Sequence, residues 1–209
     1  MLILLPFVLA LPGGGKKFEG TITWSMQYTI SNVNREQINL PKSYTMKVGG
    51  HDYSLTTDGG IHPSTFLWKG EEKRYYQLDG TAKTYKIVPV GNLAKEPVKP
   101  SVINTGEQCD ILGHRCTKYV VTPSSGNKAF QAVYWTTADL KGLNMKTMPT
   151  PGTGGNISQS LFHEYIDGIP LRIEYSTPTF NVVLVAMTIQ KGGVRDNDLS
   201  IPADFKESK

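Results

Sequence analysis

Residues 17–30, KFEGTITWSMQYTI, alternate with a period of two. The even positions are Phe18, Gly20, Ile22, Trp24, Met26, Tyr28 and Ile30; the odd positions are Lys17, Glu19, Thr21, Thr23, Ser25, Gln27 and Thr29. Side chains alternate faces along a strand, so this run predicts a β-strand with one dry and one wet face. A helix would need apolar spacings of three and four, which are absent. At ~3.3 Å per residue the strand would reach roughly 45 Å, so it must bend, and Gly20 is a place where it can. The expectation is a large, strongly curved antiparallel sheet with one buried face.

The same period recurs downstream. Tyr44, Met46 and Val48 alternate with polar residues; Gly49-Gly50 turns the chain, and Tyr53 with Leu55 begin a third strand, ended by Asp58-Gly59-Gly60. Further strands are predicted at 65–69, 73–78 and 84–88, joined by short turn-rich connectors, which implies a meander. Residues 89–100 read as a crossing loop. Extended structure resumes at Val102 and Ile103 and runs through a hairpin to Thr122, and another strand covers 129–136. Thr137 is placed to cap a single helical turn over 137–142. A long loop follows at 144–156. Ile157, Leu161, Phe162 and Tyr165 recur at helical spacing, with Asn156 as N-cap and Gly168 as stop, which predicts a helix over 157–166. The last strands are 169–176 and 182–190, and the chain leaves the sheet through Pro202.

Composition adds a compartment. The apolar run Leu2–Leu9 has the length of a secretory signal core and is too short to cross a bilayer; Val8-Leu9-Ala10 resembles a cleavage site. Residues 1–15 therefore read as a truncated signal peptide and flexible start, and 16–209 as one domain. No basic residue precedes the run, so either the start lies upstream or the run is something else. The expected localisation is periplasmic or secreted. Net charge is +4, with 22 basic and 18 acidic residues interleaved as in KGEEKR at 69–74, and no basic stripe suggests a nucleic-acid surface. The chain is not expected to span a membrane.

The only cysteines are Cys109 and Cys116. Leu112-Gly113 lies midway between them and looks like a hairpin tip, which makes them cross-strand partners. In an oxidising compartment the expectation is a disulfide, with two free thiols or a metal site as alternatives. His114 is near, but no second pair of ligands accompanies it, and no metal or cofactor is expected.

Enzyme signatures are missing. There is no G-x-S-x-G elbow, H-E-x-x-H or Walker A motif. His51, His62 and His114 fall in or beside turns, and His163 falls on the predicted helix. Glu71-Glu72 lies on a charged turn, and Asp196-Asn-Asp198 lacks the glycine and distant glutamate of a calcium loop. No catalytic residue is assigned. A curved sheet with an incompletely filled apolar inner face is instead a cavity suited to a lipid or other hydrophobic ligand. Trp24, Met26 and Tyr28 are candidates for its wall, and Met145 with Met148 for an adaptable lid; for each taken singly, a packed core position is the favoured alternative.

The segments FEGTITWSM, LGHRCTKYVV, AVYWTTADL, GIPLRIEY and LSIPADFK together resemble a family of uncharacterised secreted bacterial domains (DUF4412-like) within the LolA/LolB-like lipoprotein-carrier superfamily. The resemblance covers about residues 16–209. Cys116 falls where that family often has a cysteine after a glycine-aromatic pair, although here His114 replaces the aromatic. The resemblance implies a mainly β (α+β) fold, an unclosed antiparallel half-barrel with one or two short helices on its concave side. It implies further that acyl chains could be held in that concavity, while no catalytic residue carries over. The second reading is a structural or interaction protein of the envelope, with a filled core and an envelope protein partner.

Overall fold

The computed structural model describes residues 16–30, 40–60, 65–90, 100–122, 131–149, 166–177 and 180–208. Twelve strands follow in chain order: β1 (Gly20–Ile30), β2 (Pro41–Gly49), β3 (Asp52–Gly59), β4 (Thr65–Lys69), β5 (Arg74–Asp79), β6 (Thr84–Val88), β7 (Ser101–Ile111), β8 (His114–Thr122), β9 (Gln131–Thr137), β10 (Ile169–Ser176), β11 (Phe180–Lys191) and β12 (Lys206–Glu207). They form one sheet in the order β12-β6-β5-β4-β3-β2-β1-β11-β10-β9-β8-β7. Two meanders, β1 to β6 and β7 to β11, are thus joined side by side through the β1–β11 pair. Every pairing is antiparallel except β12 on β6. The sheet does not close: β7 ends one side and β6 with β12 the other, which makes the architecture an unclosed half-barrel.

β1 is shorter than its alternation suggests. It begins at Gly20, where φ is 155° and a Cβ would sit 2.0 Å from the carbonyl oxygen of Gln190. Only glycine lets the strand pass that close to β11. Before it, Phe18 is buried and its amide donates to Lys141 O at 2.7 Å, so the chain folds in under the sheet.

The described register shifts at four places, one each in the β1–β11, β9–β10, β2–β3 and β7–β8 pairs, and the first two lie among the core strands. The β1–β11 register shifts between Thr23 and Trp24, leaving Met187 as the extra residue, 57% exposed. The β9–β10 register shifts between Pro170 and Arg172, leaving Leu171 extra. An extra residue on one strand bends it and increases local twist.

The apolar positions of β1–β3 meet those of β8–β11 in one core. Ile22, Trp24, Met46, Tyr53, Trp68, Tyr75, Tyr134, Leu171 and Ile173 are all buried there. Alternation weakens in β4 and β5, where Phe66-Leu67-Trp68 and Tyr75-Tyr76 run together. The cause lies on the convex side. Leu67, Tyr76 and Leu78 form a second cluster under Leu199, with Val194, Ile201 and Phe205 against it. The C-terminal segment lies over these strands, pinned by Lys47–Asp198 at 2.8 Å and by Lys69 Nζ donating to Leu199 O at 3.1 Å. Strands buried on both faces cannot keep a polar side.

Thr137 does not start a helical turn. It ends β9, its hydroxyl accepts from the Asp139 amide at 3.1 Å, and 138–149 run as bends and turns with Leu140 and Leu143 buried. Gly168 explains the compact return: a Cβ there would lie 2.4 Å from Thr137 O. Among the described residues the one helical element is a four-residue 3-10 turn, Asp196–Leu199. The helix expected over 157–166, the leader expected over 1–15, His62 and His163 lie outside the described residues.

Candidate functional site

Burial falls off toward one end of the concave face, and it does so on neighbouring strands. On β1, Ile22 and Trp24 are buried, whereas Met26 and Tyr28 are half-buried. On β2, Met46 and Val48 are buried and Tyr44 is not fully so; on β3 the same holds of Tyr53 and Leu55, and on β4 of Trp68 and Phe66. Leu55 stands directly opposite Phe66, on the rung that also holds Met46 and Ile22, whereas Met26 and Tyr28 lie further along β1, past the Trp24–Tyr44 rung. The β10–β11 wall beside them is closed, with Tyr175, Val182 and Leu184 buried.

The backbone parts at the same end. The β1–β2 ladder stops at Ser25–Ser43, yet β1 continues along β11 to Ile30 and β2 continues along β3 to Pro41. Among the described residues Met26 and Tyr28 therefore lie on a stretch of β1 paired with β11 alone. This break in the ladder is an opening between β1 and β2 beside Met26, Tyr28 and Tyr44, with Leu55 and Phe66 further across the same concave face.

Below the opening lies a belt of phenols. Tyr53 and Tyr75 meet edge-on, with ring centroids 6.0 Å apart; their hydroxyls bond to one another and to the carbonyl of Pro149. Across the concavity the Tyr134 and Tyr175 hydroxyls lie 3.1 Å apart. Tyr44 stacks at a tilt on Trp24 with centroids 5.7 Å apart. Burial pushes the phenols of Tyr44, Tyr53, Tyr75 and Tyr134 well above the ordinary tyrosine range, and that of Tyr175 up to about 12. A neutral phenol can donate a hydrogen bond but cannot act as a base near neutral pH.

Residues 18–205 match the family described as a domain of unknown function, DUF4412. The chain belongs to that family. A curated rabbit (Oryctolagus cuniculus) protein, UDP-glucuronosyltransferase 2B16, is 23% identical over 169 residues, 81% of this chain and 24% of that protein. The DUF4412 chain thus spans about a quarter of that relative. Among solved structures, PNGF-II is 17% identical, with 90% of this chain and 31% of that chain covered and a TM-score of 0.50. That likeness is one of fold. The Mycobacterium tuberculosis lipoprotein LppX is 11% identical, with 85% of this chain and 89% of that chain covered and a TM-score of 0.37.

Within this DUF4412 domain the residues singled out from sequence separate. Met26 and Tyr28 stand together at the opening, the Tyr28 hydroxyl 3.5 Å from Met26 Sδ. Trp24 lies deeper, 3% exposed, its Nε1 donating to Pro170 O at 3.0 Å. Met145 and Met148 are partly buried at the closed end, tied by Met145 N to Gly168 O and Met148 N to Asn144 O, both 3.0 Å. The structure does not bring them to Met26 and Tyr28. Tyr44, Leu55 and Phe66 went unselected in the sequence, although alternation put Tyr44 and Leu55 on the apolar side.

Cys109 and Cys116 stand opposite one another on β7 and β8, as the hairpin predicts, and Leu112 and Gly113 between them have φ of 51° and 78°. Two positive φ values in a two-residue loop mark a type I′ turn. Both thiols are free in this structure; burial pushes Cys116 up to about 12 and raises Cys109. The disulfide expectation thus has its register here but not its bond. His51 lies with Trp68, Gly70, Lys73, Val90 and Pro149 around a shallow cleft of about 500 Å³ at the turn end. Among the described residues no group of three or more side chains is placed to hold a metal ion, and no helix is long and apolar enough to cross a membrane.

Proposed function

We propose that this chain is an exported, non-catalytic binding domain that takes a lipid or other hydrophobic molecule at the open end of its half-barrel. One observation carries the reading: apolar side chains stay partly uncovered on the concave face of β1–β4, toward the end at which the described β1–β2 ladder stops. An apolar concavity with few polar groups suits ligands of that class. Residues 1–15 act as the leader, delivery is to the periplasm or beyond, and Cys109–Cys116 closes as a disulfide there. The test is organic extraction of protein purified from cells, followed by mass spectrometry, with diphenylhexatriene binding as a second readout. Bound lipid, or saturable probe fluorescence lost when Met26 and Phe66 are replaced by Asp, supports the reading. Neither result would remove it.

A second reading rests on β7. Its described pairing partner is β8 alone, and it presents Ile103 at 55% exposure. An unpaired strand edge can take up a strand from another protein. An envelope protein crosslinked through a photoreactive residue at Ile103, from protein free of lipid, would favour that role.

A further inference from the structure

The hydroxyl of Tyr44 is the one member of the phenol belt to which no hydrogen bond is assigned among the described residues. Tyr53 and Tyr75 share theirs with Pro149, and Tyr134 and Tyr175 meet each other. Tyr44 packs its ring on Trp24, directly opposite it across the β1–β2 ladder, on the last rungs before the strands part. Its phenol is strongly desolvated, yet the residue keeps accessible surface. Polar groups withdrawn from water in native proteins are almost always paired, and no described residue supplies a partner to this one.

The surroundings define that partner. The electrostatic neighbours of Tyr44 are the phenols of Tyr53 and Tyr175, and among the described residues no cation joins them. A carboxylate drawn in here would lose its water without gaining a positive charge, which is costly. An uncharged acceptor loses much less and gains the phenolic proton. Apolar side chains flank the site: Met26 and Tyr28 on one strand, Leu55 and Phe66 beyond.

We propose that Tyr44 anchors the polar end of the bound molecule, donating its hydroxyl proton to an uncharged carbonyl oxygen of an acyl ester or amide, while the hydrocarbon lies along Met26, Tyr28, Leu55 and Phe66. This rests on the binding function proposed above and adds to it a ligand class and a residue. Free fatty acid anions are the disfavoured ligands.

The test compares wild type with Tyr44→Phe on three fluorescent probes at pH 8: methyl cis-parinarate, cis-parinarate and diphenylhexatriene. Wild type should bind the methyl ester more tightly than the free acid. Tyr44→Phe should weaken the ester about five- to tenfold, the worth of one hydrogen bond, and leave diphenylhexatriene unchanged. Its thermal midpoint should equal or exceed that of wild type, because it deletes an unpaired buried hydroxyl. Ester affinity unchanged in Tyr44→Phe, with diphenylhexatriene still bound, overturns the anchor and spares the binding function. The free acid binding more tightly than the ester overturns the uncharged-carbonyl assignment. A fall in midpoint of more than about 3 °C shows that the hydroxyl already has a protein partner, and overturns the anchor as well. Failure of wild type to bind any probe removes the anchor and the binding function together.

Discussion

The indole Nε1 of Trp24 donates to the carbonyl oxygen of Pro170 at 3.0 Å, joining residues 146 positions apart. Pro170 sits at the bulge in β10, before the β10–β11 ladder begins at Arg172–Val185. Its carbonyl is therefore outside that ladder, and the Trp24 side chain takes it. Trp24 is itself at the register shift of β1 on β11. One hydrogen bond thus ties together two of the places where the register of the sheet shifts.

Trp24→Phe should therefore destabilise by about 2–3 kcal/mol, from lost volume and a stranded buried carbonyl. Urea unfolding should show a lower midpoint with an unchanged slope. A midpoint within error of wild type would mean that the bond holds nothing.

Two methionines offer a matched comparison along the burial gradient. Met46 is 2% exposed opposite Ile22, and Met26 is half-buried four residues further along β1. Met46→Ala should cost about 2–4 kcal/mol, and Met26→Ala about 1 kcal/mol or less. Probe binding should respond in the opposite order. Equal stability losses would contradict the gradient.

Alkaline pH should unfold the protein steeply. Tyr44, Tyr53, Tyr75, Tyr134 and Tyr175 all hold their protons more tightly when folded, chiefly through burial. Between about pH 10, where unfolded tyrosines ionise, and the higher folded values, the native chain binds more protons than the unfolded one. Their stabilising contribution is intact below about pH 10 and is lost as pH rises above it. Of the ten tyrosines, the phenolate absorbance of these five at 295 nm should appear together with loss of circular dichroism. Ionisation of all ten near pH 10 in an intact fold would refute the burial of the belt.

Cys109 and Cys116 should form a disulfide slowly at neutral pH and faster as pH rises, because only the thiolate reacts and both thiols are raised. Once formed, the bond should add roughly 2–2.5 kcal/mol by the chain-entropy argument. Intact mass, thiol titration and the thermal midpoint with and without reductant check this. A protein from an oxidising compartment that keeps two titratable thiols would rule the bond out.

Most of the strand inventory follows from local chemistry. A period of two, broken by Gly49-Gly50, Asp79-Gly80 and Leu112-Gly113, places β1 to β6 and the cysteine hairpin, because turns and alternation are short-range properties. Thr137 misled for the same local reason: its hydroxyl does cap an amide, but within a bend, and buried Leu140 and Leu143 hold that bend against the core. The wall candidates were legible only in part. Alternation sorts Trp24, Met26 and Tyr28 onto one face but cannot say that the first is sealed and the others stay half open.

The amino-acid order alone thus determined an exposed face and an apolar face, the positions of the short turns, and the opposition of Cys109 to Cys116. Only the tertiary structure decided where the half-barrel opens. That depends on Gly20 passing under Gln190, on two bulges far apart in sequence, and on β1 keeping β11 after it has left β2. Each is a contact between distant segments, and no short-range pattern encodes the distance between them.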